Sequence, residues 1–138
     1  MRQNVGGQSY SDAVMEVPLV THQHDAATNE NSKSWTVPAN EQWRINALQV
    51  NYTSTATVGD RLLRITLVEP DGAYSLQLDN NITQAASLTY RYDFFQGTYP
   101  MPTGLAVPAR WTVTIADANN VDVNDDMKVL FLYERMVV

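Results

Sequence analysis

From Trp35 to the end of the chain, apolar residues recur at every second position, and no segment keeps a helical period. A period of two marks strands with one face buried, because successive side chains point to opposite sides of a sheet. Leu63, Ile65 and Leu67 alternate with Arg64 and Thr66, and Trp111, Val113 and Ile115 repeat the pattern. Leu88, Tyr90, Tyr92 and Phe94 line one face of a further strand and read as core. Between such runs stand turn signals. Glu69-Pro70-Asp71-Gly72 joins two strands as a hairpin, with proline presetting φ and glycine taking the left-handed position. Asp79-Asn80-Asn81 is expected to end the returning strand of Tyr74, Leu76 and Leu78.

Two places break the simple pattern. Trp43, Ile45 and Ala47 share one face, whereas Leu48, Val50 and Tyr52 fall on the other. That change of phase predicts a β-bulge near Ala47, or a strand buried on both sides. The last strand, Met127 to Met136, is apolar on both faces at Val129-Leu130-Phe131-Leu132, which predicts a central strand covered on both sides. The loop-like stretch 96–109 contains Tyr99, placed for exposure and contact, and a short extended piece at Leu105 and Val107.

Counting gives about eight strands at sandwich-like spacing. Val37-Pro38-Ala39 before Trp43 echoes Val107-Pro108-Ala109 before Trp111, as equivalent corners of two Greek-key halves would. The expected fold is an all-β, jelly-roll-like antiparallel sandwich. Residues 1–34 are more polar and read as an extended N-terminal arm with one short strand, and residues 35–138 as the sandwich domain. Val14, Val17, Leu19 and Val20 are the arm's apolar anchors for a protein interface.

Composition narrows the function. The net charge is −6, and the seven arginines and two lysines are scattered, so nucleic acid is not an expected partner. The apolar run Val129–Leu132 is far shorter than the roughly 20 residues a membrane helix needs. The opening residues Met1–Gly7 lack an apolar signal-peptide core, so export by that route is not expected. There is no cysteine, hence no disulfide and no thiolate metal site.

Catalysis finds little to work with. His22 and His24 both fall in the arm, and neither a Gly-X-Ser-X-Gly elbow nor a phosphate-cradling glycine loop is present. The expectation is no enzyme, no cofactor and no resident metal. Two metal candidates stand beside that expectation. His22 and His24 point the same way in an extended chain and would offer two imidazoles to an ion. The acidic loop 117–126 offers oxygen donors for calcium at Asp117, Asn119, Asp122, Asn124, Asp125 and Asp126, yet Asn and Asp also gather in such loops because they favour turns.

The runs SWTVPANEQWRI (34–45), TSTATVGDRLLRITLVEPDG (53–72), QAASLTYRYDF (84–94) and VPARWTVTIADANNVDVNDDMKVLFLYER (107–135) together span about three quarters of the chain. In their pattern of strands and turns they resemble small β-sandwich virion structural proteins of tailed bacteriophages, of the capsid decoration or cement type. The resemblance implies a non-enzymatic role on the capsid surface, bridging subunits of the major capsid protein after synthesis in the host cytoplasm. It also implies a homo-oligomer, with a trimer favoured because icosahedral lattices offer three-fold positions. A head–tail, tail or neck component is the nearest alternative, and a carbohydrate-binding sandwich module is an alternative from another class. No functional residue carries over, because such proteins act through whole surfaces.

Overall fold

The computed structural model describes residues 30–73, 75–95 and 104–138, together with the backbone of 19–25. Nine strands are described: β1 (Leu19–Asp25), β2 (Ser32–Thr36), β3 (Glu41–Thr53), β4 (Arg61–Val68), β5 (Ser75–Gln84), β6 (Thr89–Phe94), β7 (Leu105–Val107), β8 (Thr112–Asp117) and β9 (Asp126–Val137). One sheet runs β1-β9-β3-β6, with β7 also pairing with β3; the other runs β2-β8-β4-β5. Every pairing is antiparallel.

This order is that of a jelly roll. The chain pairs β1 with β9, β2 with β8, β3 with β6 and β7, and β4 with β5, like one long hairpin folded over into two sheets. The ninth strand beyond the expected eight is β7, three residues that extend the sheet beside the first half of β3. The division expected after residue 34 falls inside β2, and β1, expected in the arm, hydrogen-bonds along β9.

Between the sheets the inward residues alternate as the period required: Leu63, Ile65 and Leu67 from β4, Val113 and Ile115 from β8, and Met127, Val129, Phe131 and Tyr133 from β9 are all buried. Trp35 of one sheet meets Phe131 of the other edge-on at 5.0 Å, and Trp43 lies 4.5 Å from Tyr133. The phase change in β3 is a bulge: the β3–β9 register shifts between Ile45 and Ala47, leaving Asn46 as the extra residue. Its side-chain amide donates to Glu134 Oε2 at 2.9 Å.

The two Val-Pro-Ala corners are neighbours. Glu41 N–H donates to Pro38 O and Trp111 N–H to Pro108 O, so the same four-residue turn carries the chain between sheets twice. Val37 N–H to Trp111 O and Arg110 N–H to Val37 O, both 2.9 Å, bind one corner to the other.

Three expectations change. Asp79-Asn80-Asn81 does not end a strand. β5 continues to Gln84 through an irregularity opposite Leu63, where Asn81 takes φ 60° and Asn80 Oδ1 accepts the Ile82 N–H. The short polar side chain of asparagine tolerates the left-handed conformation, so it redirects the strand without stopping it. The face of β6 is only half core: Tyr92 and Phe94 are buried, whereas Tyr90 is 48% and Leu88 50% exposed. Tyr90 is in register with buried Tyr52 but stands on β6, the edge of its sheet, and Leu88 precedes the strand. Finally, β9 is central but covered on one face: Leu130 and Leu132 remain 37% and 45% exposed on the other.

Candidate interaction surfaces and the locked loop end

At one end of the sandwich the loops 54–60, 85–88 and 118–125 meet, and their polar groups are spent on one another. Arg61 is at its centre. Its guanidinium is fully buried, with Nε donating to Asp125 Oδ2 at 2.9 Å and Nη2 to Asp125 Oδ1 at 3.2 Å. Nη1 donates to the carbonyls of Thr57 and Gly59, each at 2.8 Å, and Nη2 also reaches Thr55 Oγ1 at 3.3 Å. All five donors of the fork are thus used. Asp125 also accepts from the Tyr52 hydroxyl and the Thr55 N–H, both at 2.8 Å.

These contacts fix the protonation states. Burial works against the charge of Asp125, yet the bonds from Arg61, Thr55 and Tyr52 hold its pKa below the usual carboxylate range. Burial and the bond to Asp125 push the Tyr52 hydroxyl well above its ordinary value. Asp122 accepts from the Thr55 and Thr57 hydroxyls at 2.6 and 2.7 Å and from Asn124 N–H at 2.9 Å. The Thr55 bond foremost, then those from Asn124 and Thr57, lowers its pKa from 3.8 to about 2.

The acidic loop is therefore a closure device. Asp117 accepts from the N–H groups of Leu62, Asn119 and Val121 at 2.9, 3.1 and 2.9 Å, and Asn119 Nδ2 donates to Asp60 O at 2.8 Å. Of the carboxylates offered for calcium, Asp117, Asp122 and Asp125 face protein donors, and among the described residues no group of three or more His, Asp or Glu is placed to hold an ion. A second polar cluster joins the loops at the same end. Ser54 Oγ donates to Ala85 O at 2.7 Å, and Gln84 Nε2 donates to Tyr52 O and Leu88 O at 3.0 and 2.9 Å. The Tyr92 hydroxyl donates to Gln84 Oε1 at 2.7 Å, and burial above all pushes its pKa up to about 12.

The sequence reading missed Arg61, Tyr52, Thr55 and Gln84 as a unit, although a signal was present. Arg61 has the same parity as Leu63, Ile65 and Leu67, and Asp125 the same as Met127 and Val129, so both point inward from the ends of core strands.

The outward faces differ in chemistry. Across β2 and β8 the hydroxyls of Ser34 and Thr114 pair at 2.8 Å and those of Thr36 and Thr112 at 2.9 Å, giving a flat polar surface. At the far side of that sheet Arg64 and Asp79 form a partly exposed pair, which lowers the Asp79 pKa. On the opposite sheet, Ala47, Leu48, Gln49, Leu130 and Leu132 line a shallow apolar depression.

Of the expected interface residues, Leu19 and Val20 lie in β1, in register with Arg135 and Glu134. Val14, Val17 and Tyr99 lie outside the described residues. His22 and His24 also lie in β1, in register with Leu132 and Leu130. The described residues contain no helix long and apolar enough to cross a membrane.

No known protein family and no curated protein matches the sequence. Among solved structures, a chain from the structure of infectious bursal disease virus, Gx strain, is similar over 86% of this chain, with 10% sequence identity and a TM-score of 0.41. This chain spans 32% of the length of that one.

Proposed function

We propose that this protein is a non-enzymatic structural component of a virus particle, and specifically a decoration or cement protein that bridges major capsid protein subunits of a tailed phage. The observation that carries the reading is how the jelly roll spends its polar chemistry. The titratable groups it gathers, Arg61, Asp117, Asp122 and Asp125, are locked into one another and into the backbone of the loop end. What it presents outward is broad: a flat hydroxyl face on one sheet and, on the other, an apolar strip with no more than shallow depressions among the described residues. Small-molecule sites are concave, whereas rigid flat surfaces suit protein partners and limit the entropy lost on docking. The jelly roll itself is a fold-level analogy, shared by viral capsid, lectin and cupin domains, and fits several functions. The strand-and-turn resemblance to phage structural proteins chooses among them.

The test is assembly. Particles formed with and without the protein are imaged by cryo-electron microscopy and its copies per particle counted. Density repeated over the capsid lattice, at hundreds of copies, supports the decoration role. A dozen copies or fewer at one vertex moves the protein to the head–tail joint, tail or neck, and particles without it overturn the virion role.

The half-exposed Tyr90, edge-on to Tyr92 at 4.9 Å, favours a second reading, a carbohydrate-binding module in which that ring stacks on a sugar. A glycan-array signal lost in Tyr90→Ala would support it, and a silent array would remove it.

A further inference from the structure

On a sandwich the outer face of a sheet is ordinarily polar, yet β9 carries Leu130 and Leu132 there, 37% and 45% exposed, with Ala47 of β3 in register beside Leu132. The outward residues along β9 read Asp126, Lys128, Leu130, Leu132, Glu134, Met136. The central four are their own complement when reversed about Phe131, leucine exchanging with leucine and the cation with the anion, while Asp126 exchanges with Met136 at the ends.

We propose that this face binds the same face of a second copy about a two-fold axis perpendicular to β9 at Phe131, with Lys128 meeting the partner's Glu134 and Leu130 the partner's Leu132. A two-fold contact is isologous, so each charged pair occurs twice. The flanking strand obeys the same operation. Phe131 is in register with Leu48 of β3, so Ala47 falls opposite the partner's Gln49 and Arg44 opposite the partner's Asn51, and no like charges meet on the β3 flank. On the β1 flank the position of His22 falls opposite the partner's position 24. Stacked sheets cross at about 30°, and Lys128 and Glu134 stand about 10 Å from the axis, which displaces the paired positions by about 5 Å, one strand spacing that their long side chains must span. The small Ala47 side chain keeps open the depression that it lines with Leu130 and Leu132, and this depression is the receiving surface.

The contact is small. Two sheet faces of this size bury an area near the lower end of specific interfaces, so the dimer forms weakly and depends on concentration and salt. It requires neither a particle nor a sugar, and so stands apart from the proposed function.

Charge reversal tests it. Wild-type protein, Lys128→Glu, Glu134→Lys, the double variant and an equal mixture of the single variants are run by sedimentation equilibrium. Each single reversal turns two attractive contacts repulsive and is expected to weaken association about tenfold. The double variant restores the complement within one chain, and the mixture restores it between two chains, so both recover wild-type association. Lys128→Glu changes an exposed side chain and keeps the test valid if Glu134→Lys, which loses the Asn46 bond and stands beside Arg44, fails to fold. The proposal is overturned by a monomer at concentrations up to about 1 mM, by a trimer, by single variants that associate like wild type, or by a mixture that does not recover.

Discussion

Arg61 Nε donates to Asp125 Oδ2 at 2.9 Å, and neither side chain has any exposed surface. Such a pair contributes modestly as a pair, but removing one member strands the other charge in a medium that solvates it badly. Asp125→Ala and Arg61→Met are each expected to cost roughly 3–5 kcal/mol in urea unfolding. The double variant should lose clearly less than the sum, since neither charge is then left alone. Additive losses would mean that the two residues act separately.

Stability should fall in acid over a defined window. Asp122, Asp125 and Asp79 all have folded pKa values below their ordinary one. A depressed folded pKa gives stability that is complete above the unfolded value and is lost as pH falls through the folded one. For Asp122 that window runs from 3.8 down to about 2. Urea midpoints are therefore expected to be flat from neutral pH to about 5 and to fall steeply below about 4. Asp122→Asn should make the acid limb shallower, and an unchanged limb would refute the assignment. Tyr92 acts at the other extreme: its folded pKa is raised, so its contribution is complete below 10 and fades toward about 12.

Much of this architecture was legible because a period of two registers directly which side chains enter the core. The Ala47 phase change announced the bulge at Asn46, and the repeated Val-Pro-Ala marked two corners that the structure hydrogen-bonds together. Local patterns failed where a residue has two uses. Asn80-Asn81 carries a turn signal but is held in pairing on either side by β4, so it bends β5 and does not end it. The apolar outer row of β9 implies cover that the fold does not provide, because hydrophobicity reports a need for burial without saying what supplies it. The centre of the loop end stayed hidden because Asp125 lies 64 to 73 residues from Arg61, Thr55 and Tyr52, and spacing along the chain carries no trace of such a partnership.

Two glycines share a positive φ but differ in what surrounds them. Gly59, at φ 142°, would place a Cβ 2.9 Å from Val121 Cγ1, at the point where its carbonyl accepts from Arg61. Gly72, at φ 74° in the β4–β5 hairpin, has open space where the Cβ would go. Gly72→Ala is expected to cost about 1 kcal/mol from backbone strain alone. Gly59→Ala adds a clash and should cost about 2–3 kcal/mol. Thermal melts of the two variants measure the difference, and equal losses would show that Val121 yields freely.

Adjacent residues on β9 should behave as opposites. Phe131 is 1% exposed, lies edge-on to Trp35 across the sandwich at 5.0 Å, and also neighbours Trp43 at 6.2 Å and Tyr133 at 5.4 Å. Phe131→Ala would remove the ring that joins the two sheets and leave a cavity among aromatics too rigid to fill it, at a cost of about 3–5 kcal/mol. Leu132, one position on, faces outward at 45% exposure, and Leu132→Ser is expected to change unfolding by no more than about 0.5 kcal/mol. Urea unfolding at low protein concentration, where copies are apart, separates the two. A large loss in Leu132→Ser under those conditions would mean that the chain's own fold covers this face, and that the leucine serves the monomer.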